Sequence, residues 1–174
     1  RRFTVDSLER RGFDLEVMVE AGLISKSRAG EYFDRFEGRV VFPIADRDGT
    51  IVGFSGRSID ERKPKYVNTS DTPLFNKSEL LFGFPQARAT MRKQKRVFLV
   101  EGNVDVLQVA QAGTKEVVAS LGTAFSSGHA RALARMVDEV IVCYDGDHAG
   151  QEATLKVVRL LETYPLDVQV LLLP

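Results

Sequence analysis

Apolar runs and segments of helical periodicity alternate along the second half of the chain. Short apolar runs predict strands at residues 97–100, 116–119, 139–144 and 168–173. Apolar positions spaced three and four apart predict helices at residues 104–112, 127–136 and 149–161. Such repetition of strand and helix is typical of a parallel sheet with helices on its faces. We therefore expect an α/β fold in this half.

The beginning of the chain has a polar, helical pattern. Residues 4–36 space their apolar side chains mainly as helices do, and Asp14 is expected to cap a helix that starts at Leu15. Ser25 or Ser27 is expected to open another short helix. These residues predict a helical start to the first half.

A hairpin and an irregular loop are predicted next. Residues 39–44 and 51–54 have strand character, and the turn residues between them favour antiparallel pairing, with Pro43 placing the first strand at a sheet edge. Prolines, asparagine and charges between residues 60 and 78 predict an irregular loop with an extended stretch at 65–68. Ordered loops of this length inside a compact domain are usually functional.

Composition and charge restrict the classes of function. The net charge is zero, yet residues 1–97 carry an excess of five positive charges and residues 98–174 an excess of five negative charges. This asymmetry favours phosphate binding by the first part and metal binding by the second. A single cysteine excludes an internal disulfide, and no Cys/His cluster can supply a zinc site. No apolar run reaches the roughly 20 residues needed to span a membrane.

Two acidic clusters follow apolar runs. Glu101 comes directly after the predicted strand 97–100, and Asp145 and Asp147 follow the strand that starts at residue 139. Buried parallel strands deliver such side chains to the carboxyl edge of a sheet, where ligands bind. Three carboxylates brought together repel one another, so we expect a divalent cation, Mg²⁺ or Mn²⁺, to neutralise them. The alternative for Asp147 is a helix N-cap only.

Both clusters lie in recognisable motifs. The segment 101–106 resembles the glutamate motif of the TOPRIM domain, and the segment 144–150 resembles its Asp-x-Asp motif with the Ala-Gly helix start. Upstream motifs follow in the order and spacing of bacterial replicative primases of the DnaG type: Val41-Phe42-Pro43-Ile44, Gly53-Phe54-Ser55-Gly56-Arg57, Pro64-Lys65-Tyr66-Val67-Asn68 and Pro73-Leu74-Phe75-Asn76-Lys77. The chain departs from the usual pattern at Asn103-Val104, where Tyr-Met is common, and at His148, where Arg is common.

The resemblance implies an organisation for the chain. Residues 97–174 would form a TOPRIM-type, mostly parallel sheet flanked by helices, in the α/β class. Residues 1–96 would be part of a smaller, mixed α+β, basic N-terminal subdomain with the hairpin and a nucleotide-binding loop. The family has a further acidic motif that would come just beyond Pro174, so we expect the TOPRIM domain to be truncated at its C-terminal end.

The resemblance also implies an activity and its residues. A primase is a DNA-directed RNA polymerase, a nucleotidyltransferase that makes short RNA primers for replication. Glu101, Asp145 and Asp147 would be the catalytic carboxylates. Asp145 and Asp147 would be the principal ligands of Mg²⁺ or Mn²⁺, with two ions during catalysis, and Glu101 would be either a further ligand or the base. Asp105 would either support the metal site or serve only as a helix N-terminal acid. The residues that resemble those holding the triphosphate and the nucleic-acid strand are Arg57, Lys65, Asn68 and Lys77.

The resemblance also implies binding partners and a cellular location, and two other functions remain as alternatives. The family implies a single-stranded DNA template, ribonucleoside triphosphates, a replicative helicase bound through a region outside this chain, and a cytoplasmic location at the bacterial replisome. The alternatives are a TOPRIM-type nuclease or strand-transfer enzyme and a non-catalytic nucleic-acid-binding module. Of the two histidines, His148 would contact phosphate, whereas His129 is interpreted as a plain surface group.

Overall fold

A computed structural model describes residues 2–60 and 63–172 of the protein. Its helices are α1 (Phe3–Glu9), α2 (Leu15–Glu20), α3 (Phe84–Gln94), α4 (Asn103–Gln111), α5 (Ser127–Ala134) and α6 (His148–Leu161). Its strands are β1 (Ile24–Lys26), β2 (Tyr32–Asp34), β3 (Arg39–Ala45), β4 (Ile51–Ser58), β5 (Tyr66–Asn68), β6 (Arg96–Val100), β7 (Val117–Ala119), β8 (Glu139–Cys143) and β9 (Asp167–Val170). The chain forms two compact units, Arg1–Ile44 with Ile51–Asn76, and Ala45–Thr50 with Lys77–Pro174.

The first unit contains two short helices and two small sheets. Strands β3, β4 and β5 form one sheet with β4 in the centre, so the Pro43 strand is an edge strand, as predicted. The side chain of Asp14 accepts hydrogen bonds from the amides of Glu16 and Val17, which confirms the predicted cap of α2. Asp34 is buried and accepts from the amides of Thr4 and Val5, so its carboxylate caps α1 from a distant strand.

The predicted short helix at Ser25 or Ser27 is wrong. Strands β1 and β2 pair there as an antiparallel hairpin, with Ser25 opposite Phe33. The Ser27 hydroxyl accepts from the amide of Glu31, and Gly30 has a φ of 87°. Serine closes a turn by the same type of hydrogen bond with which it caps a helix, and the left-handed glycine prevents the helix from continuing.

The second unit contains a four-stranded parallel sheet in the order β7-β6-β8-β9. Strand, helix and strand alternate from β6 to β9, so the predicted α/β fold of this half is confirmed. The last strand is shorter than predicted, because β9 ends at Val170, and Leu173 lies outside the described residues. Helix α3, which carries the basic residues Arg88, Arg92 and Lys93, leads directly into β6.

Alternate residues of the central strands form the core of this unit. Val97 and Leu99 of β6 and Val140 and Val142 of β8 are fully buried. They cluster with apolar side chains of three helices: Phe84, Ala87 and Met91 of α3, Ala130, Ala132 and Leu133 of α5, and Val157 and Leu161 of α6. Phe98 and Ile141, between these positions, are half-buried, so both faces of the two strands are at least partly covered, which explains their nearly continuous apolar sequence.

The tip of the hairpin formed by β3 and β4 is held by hydrogen bonds within the second unit. Ala45–Thr50, which joins β3 to β4, is grouped with the second unit, where the Arg47 carbonyl accepts from Arg88 at 3.1 Å. Asp46 closes the tip by accepting from the amides of Asp48 and Thr50.

In the described part of the chain, no helix has both the length and the apolar character required to cross a bilayer.

Candidate active site at the carboxyl edge of the parallel sheet

The topology of the sheet creates a binding position at its carboxyl edge. The chain passes from β6 through α4 to β7 on one side, and then crosses through α5 to β8 on the other side of β6. The connections leaving β6 and β8 therefore diverge, and ligands of open α/β sheets bind at such a switch point. Val100 pairs with Cys143, so Glu101 and Tyr144 follow at the same level.

Glu101 and Asp145 meet at this switch point. Both side chains are exposed, and the amide of Asp145 donates to Oε2 of Glu101 at 3.4 Å. The contact is between the backbone of one acidic residue and the carboxylate of the other. The structure thus brings together two residues that are 44 positions apart in the sequence, through the pairing of β6 with β8.

Asp147, the second aspartate of the Asp-x-Asp motif, caps helix α6. Its Oδ1 accepts from the amide of Gly150 at 2.7 Å, which is the capping arrangement that the sequence offered as the alternative interpretation. In the described residues, no protein group donates a hydrogen bond to Oδ2 of Asp147. A carboxylate can cap a helix with one oxygen while the other remains accessible to a cation.

Helix α6 also holds the loop that carries Asp145. Gln151 donates from its side chain to the carbonyl of Gly146 at 2.8 Å. A Cβ at position 150 would lie 2.2 Å from the carbonyl oxygen of Asp145, a distance that excludes any side chain larger than hydrogen. The glycine is therefore required by close packing of the helix on the backbone of Asp145, and that contact holds the main chain that carries the Asp145 carboxylate.

Asp105 has a clear local role. It is the third residue of α4, and its Oδ2 accepts from the amide of Gly102 at 2.8 Å. The carboxylate thereby stabilises the start of the helix that follows Glu101, as a capping acid does. This bond also holds the Gly102 backbone next to Glu101, so Asp105 shapes the acidic edge through the main chain.

Tyr144 lies behind the acidic edge. The side chain is buried, and burial together with the nearby Glu101 carboxylate raises the pKa of Tyr144 to about 12, although a hydrogen bond with Ser120 acts in the opposite direction. Ser120 follows β7 as Glu101 follows β6. Cys143 is buried too, as predicted for a small hydrophobe in a strand, and burial raises the pKa of its thiol.

The acidic edge fits a hard divalent cation. In the described residues, no Lys, Arg or His side chain forms an ion pair with Glu101, Asp145 or Asp147. Within the same residues, no three Asp, Glu, His or Cys side chains converge to hold a metal by themselves. Mg²⁺ binds in this way, through one or two carboxylates, with water and substrate phosphates as its other ligands. The donor chemistry therefore fits Mg²⁺ or Mn²⁺.

Three predicted phosphate-binding residues lie on or beside two paired strands. Arg57 is in β4, Asn68 is in β5, and Lys65 directly precedes β5. Arg57 pairs with Tyr66 across the two strands, and its guanidinium lies 5.8 Å from the centre of the tyrosine ring. The carbonyls of Lys65 and Asn68 are held by arginine side chains of the first unit, at 3.2 Å from Arg39 and 2.7 Å from Arg35. The predicted extended stretch is thus a short edge strand anchored by two arginines.

The fourth predicted residue, Lys77, belongs to the second unit, and a histidine holds its backbone. Nε2 of His129 lies 2.8 Å from the carbonyl oxygen of Lys77, and the His129 side chain is fully buried. The interpretation of His129 as a surface group is therefore wrong. Apolar residues at 130, 132 and 133 fit a buried face that starts at position 129, but the partner of the imidazole is 52 residues away in the sequence.

The buried imidazole gives the protein an acid-sensitive stability. Burial lowers the pKa of His129 from its ordinary value of 6.5, although contacts with the backbone carbonyls of Lys77 and Leu80 and with Glu79 act in the opposite direction. A lowered folded-state pKa means that the unfolded chain takes up the proton first as pH falls. We expect the free energy of unfolding to decrease as pH falls below 6.5 and through the folded-state pKa.

Denaturant titrations at about pH 7.5 and about pH 5 would measure this effect in the wild type and in His129→Gln, which cannot titrate. His148 is exposed and is present in both proteins, so it serves as the internal control. Equal pH dependence in the two proteins would contradict the prediction.

Comparison with known proteins agrees with this architecture. Residues 1–88 match the family model of the DNA primase catalytic core, N-terminal domain, and residues 95–172 match that of the Toprim domain. A DNA primase from Staphylococcus epidermidis is 43% identical over 173 residues, which are 99% of this chain and 29% of that protein. The chain thus spans less than a third of that relative.

Solved structures have the same fold. A DNA primase domain from Pseudomonas aeruginosa superposes with a TM-score of 0.89 at 39% identity, over 96% of this chain and 54% of that one. A DnaG primase catalytic domain bound to single-stranded DNA superposes with a TM-score of 0.86 at 35% identity, over 96% of this chain and 54% of that one. The chain therefore belongs to the DNA primase family, with the N-terminal domain of the primase catalytic core followed by a Toprim domain.

Proposed function

We propose that this chain provides the catalytic centre for DNA-directed synthesis of short RNA primers on single-stranded DNA. The observation that carries the proposal is the meeting of Glu101 and Asp145 at the switch point of the parallel sheet, with no protein cation paired to either carboxylate in the described residues. Uncompensated carboxylates at this position are suited to divalent ions and to a phosphate-bearing substrate.

We propose that Glu101, Asp145 and Asp147 are metal ligands, with each ion taking one or two of these carboxylates. Bound Mg²⁺ or Mn²⁺, two ions during catalysis, would activate the attacking 3′-hydroxyl and neutralise the charge of the leaving pyrophosphate. The fold supports this assignment. Glu101 directly follows strand β6, Asp145 lies two residues after strand β8, and helix α6 packs on the backbone of Asp145 through Gly150.

The basic residues would hold the phosphates. Arg57 offers a planar fork for a phosphate oxygen pair, Lys65 and Lys77 offer positive charges, and Asn68 offers an amide. We propose that they bind the incoming ribonucleoside triphosphate and the nucleic-acid strand. Support comes from their match to the primase motifs and from the solved relative whose catalytic domain binds single-stranded DNA. A replicative helicase would bind the protein through a region outside this chain.

Product analysis tests the proposal. The protein, extended beyond Pro174 through the further acidic motif, is incubated with single-stranded DNA, ribonucleoside triphosphates and Mg²⁺ or Mn²⁺. We expect short products that require the template and the ion and that are destroyed by ribonuclease. Shortening of the DNA without any RNA product would overturn the proposal and favour a Toprim-type nuclease, and DNA binding without either product would favour a non-catalytic module.

A further inference from the structure

The start of helix α5 is fitted to the backbone of the segment Lys77–Glu79. His129 contacts the carbonyl of Lys77 through Nε2, and the Ser126 hydroxyl donates to the carbonyl of Ser78. Two consecutive carbonyls of the segment are thus bound by side chains from one helix turn. Both contacts lie within the second unit and connect residues about 50 positions apart.

The side chains of Ser126 and His129 also form a capping box, in which each accepts a hydrogen bond from the backbone amide of the other residue. The Ser126 hydroxyl accepts from the amide of His129 at 3.2 Å, and Nδ1 of His129 accepts from the amide of Ser126 at 3.2 Å. Because Nδ1 accepts, the proton of the neutral imidazole lies on Nε2, which must donate to the Lys77 carbonyl. The helix cap therefore fixes the tautomer that holds Lys77.

Close packing leaves the segment little room to move. A Cβ at position 128 would lie 2.4 Å from the carbonyl oxygen of Ser78 and 2.8 Å from the carboxylate of Glu79, so only glycine permits this approach. The ring of Phe125 covers the imidazole, with ring centres 5.4 Å apart. The imidazole is therefore shielded from water, which strengthens the hydrogen bond that it forms with the Lys77 carbonyl.

We infer that His129 is a positioning residue, which holds the main chain of Lys77 so that the lysine side chain is presented to phosphate. The inference rests on the proposed function, because it takes Lys77 as a residue that binds the phosphates of the nucleotide or of the DNA strand. A lysine side chain has four rotatable bonds, so a fixed main chain reduces the region that its ammonium group samples. The histidine itself would touch neither the nucleotide nor the DNA.

Two substitutions of His129 distinguish a role in positioning Lys77 from a role that only fills the volume of the imidazole. Glutamine can accept from the amide of Ser126 and donate to the carbonyl of Lys77, as the last residue of a capping box, whereas leucine fills the site but forms neither bond. We expect His129→Leu to weaken binding of ATP or of a single-stranded oligonucleotide about tenfold, and His129→Gln to retain it. Fluorescence anisotropy with each probe would show whether Lys77 acts on the nucleotide or on the strand.

A double-mutant cycle with Lys77→Ala decides whether the effect passes through the lysine. If it does, adding His129→Leu to Lys77→Ala should change affinity by less than about twofold, since coupled sites are not additive. Three results would overturn the inference. The losses of affinity from the two single substitutions could multiply in the double mutant, His129→Gln could weaken binding as much as His129→Leu, or Lys77→Ala could leave the affinity unchanged. Thermal unfolding of every variant shows that the proteins compared are folded.

The experiments distinguish failure of this inference from failure of the proposed function. Affinity reports the positioning of Lys77 even in a protein that makes no primer, whereas the product assay reports catalysis at the acidic edge. Template-dependent RNA synthesis with additive effects at positions 77 and 129 would overturn the inference alone. Absence of synthesis with a non-additive cycle would overturn the proposed function alone.

Discussion

Replacing Asp145 by asparagine should abolish primer synthesis while leaving the protein folded. The substitution keeps the size of the side chain and the backbone amide that donates to Glu101, but removes one of the negative charges that would hold the divalent ions. Loss of one preorganised group that stabilises charge in the transition state commonly lowers kcat by about a hundredfold to a thousandfold. We expect a loss of at least that order for Asp145→Asn, and a similar loss for Glu101→Gln, measured as RNA formed on a single-stranded template.

The matched control is Asp167→Asn, which changes an exposed carboxylate at the amino end of β9, at the opposite edge of the same sheet. Synthesis should be unaffected by that change. In the absence of divalent ions, Asp145→Asn should be at least as stable as the wild type, because it relieves repulsion between acids that have no ion pair in the described residues. Full activity of Asp145→Asn, or equal loss in the control, would contradict the assignment of the acidic edge.

A single methyl group at position 150 should also eliminate most of the activity. In the interior of an unconstrained helix, replacing glycine by alanine stabilises by roughly 1 kcal/mol. Here the added Cβ would lie 2.2 Å from the Asp145 carbonyl oxygen, so either α6 or the loop must shift. We expect Gly150→Ala to destabilise the protein by about 1–3 kcal/mol. Displacement of a catalytic group by about 1 Å can lower the rate about a hundredfold, and we expect a loss of that order.

The control for this prediction is Ala149→Gly, at the exposed neighbouring position of the same helix. That change costs only helix propensity, about 1 kcal/mol, and should retain synthesis. Chemical denaturation of both variants gives their free energies of unfolding, and primer synthesis gives the catalytic effect. A Gly150→Ala protein that is more stable than the wild type and fully active would show that the helix does not position Asp145.

Local sequence signals predicted much of the architecture, because they act over a few residues. Alternate residues of β6 and β8 are fully buried, and an acidic residue follows β6 directly and β8 after Tyr144, so strand position and sheet edge could be inferred together. Asp14 caps α2 within three residues of itself. The family was identified from motifs of the same local kind, and its fold is confirmed.

The sequence-based predictions were wrong where one residue type can stabilise two kinds of structure, or where the hydrogen-bond partner of a residue is distant in the chain. Ser27 closes a hairpin turn with a hydrogen bond that would equally suit a helix cap, and the difference was decided by Gly30 and by pairing of β1 with β2. His129 has no local signal for burial beyond the apolar residues that follow it. Its environment is set by the carbonyl of Lys77, which only the packed unit brings within reach.

By itself, the sequence determined the alternation of strands and helices, the carboxylates that follow β6 and β8, and the family to which the chain belongs. The tertiary structure alone decided that β6 lies between β7 and β8, which places Glu101 beside the backbone of Asp145. It also decided that Gly150 packs on Asp145 and that His129 holds Lys77. The physical reason is range: propensity and capping depend on neighbours in the chain, whereas strand order, close packing and buried hydrogen bonds depend on groups that meet only after folding.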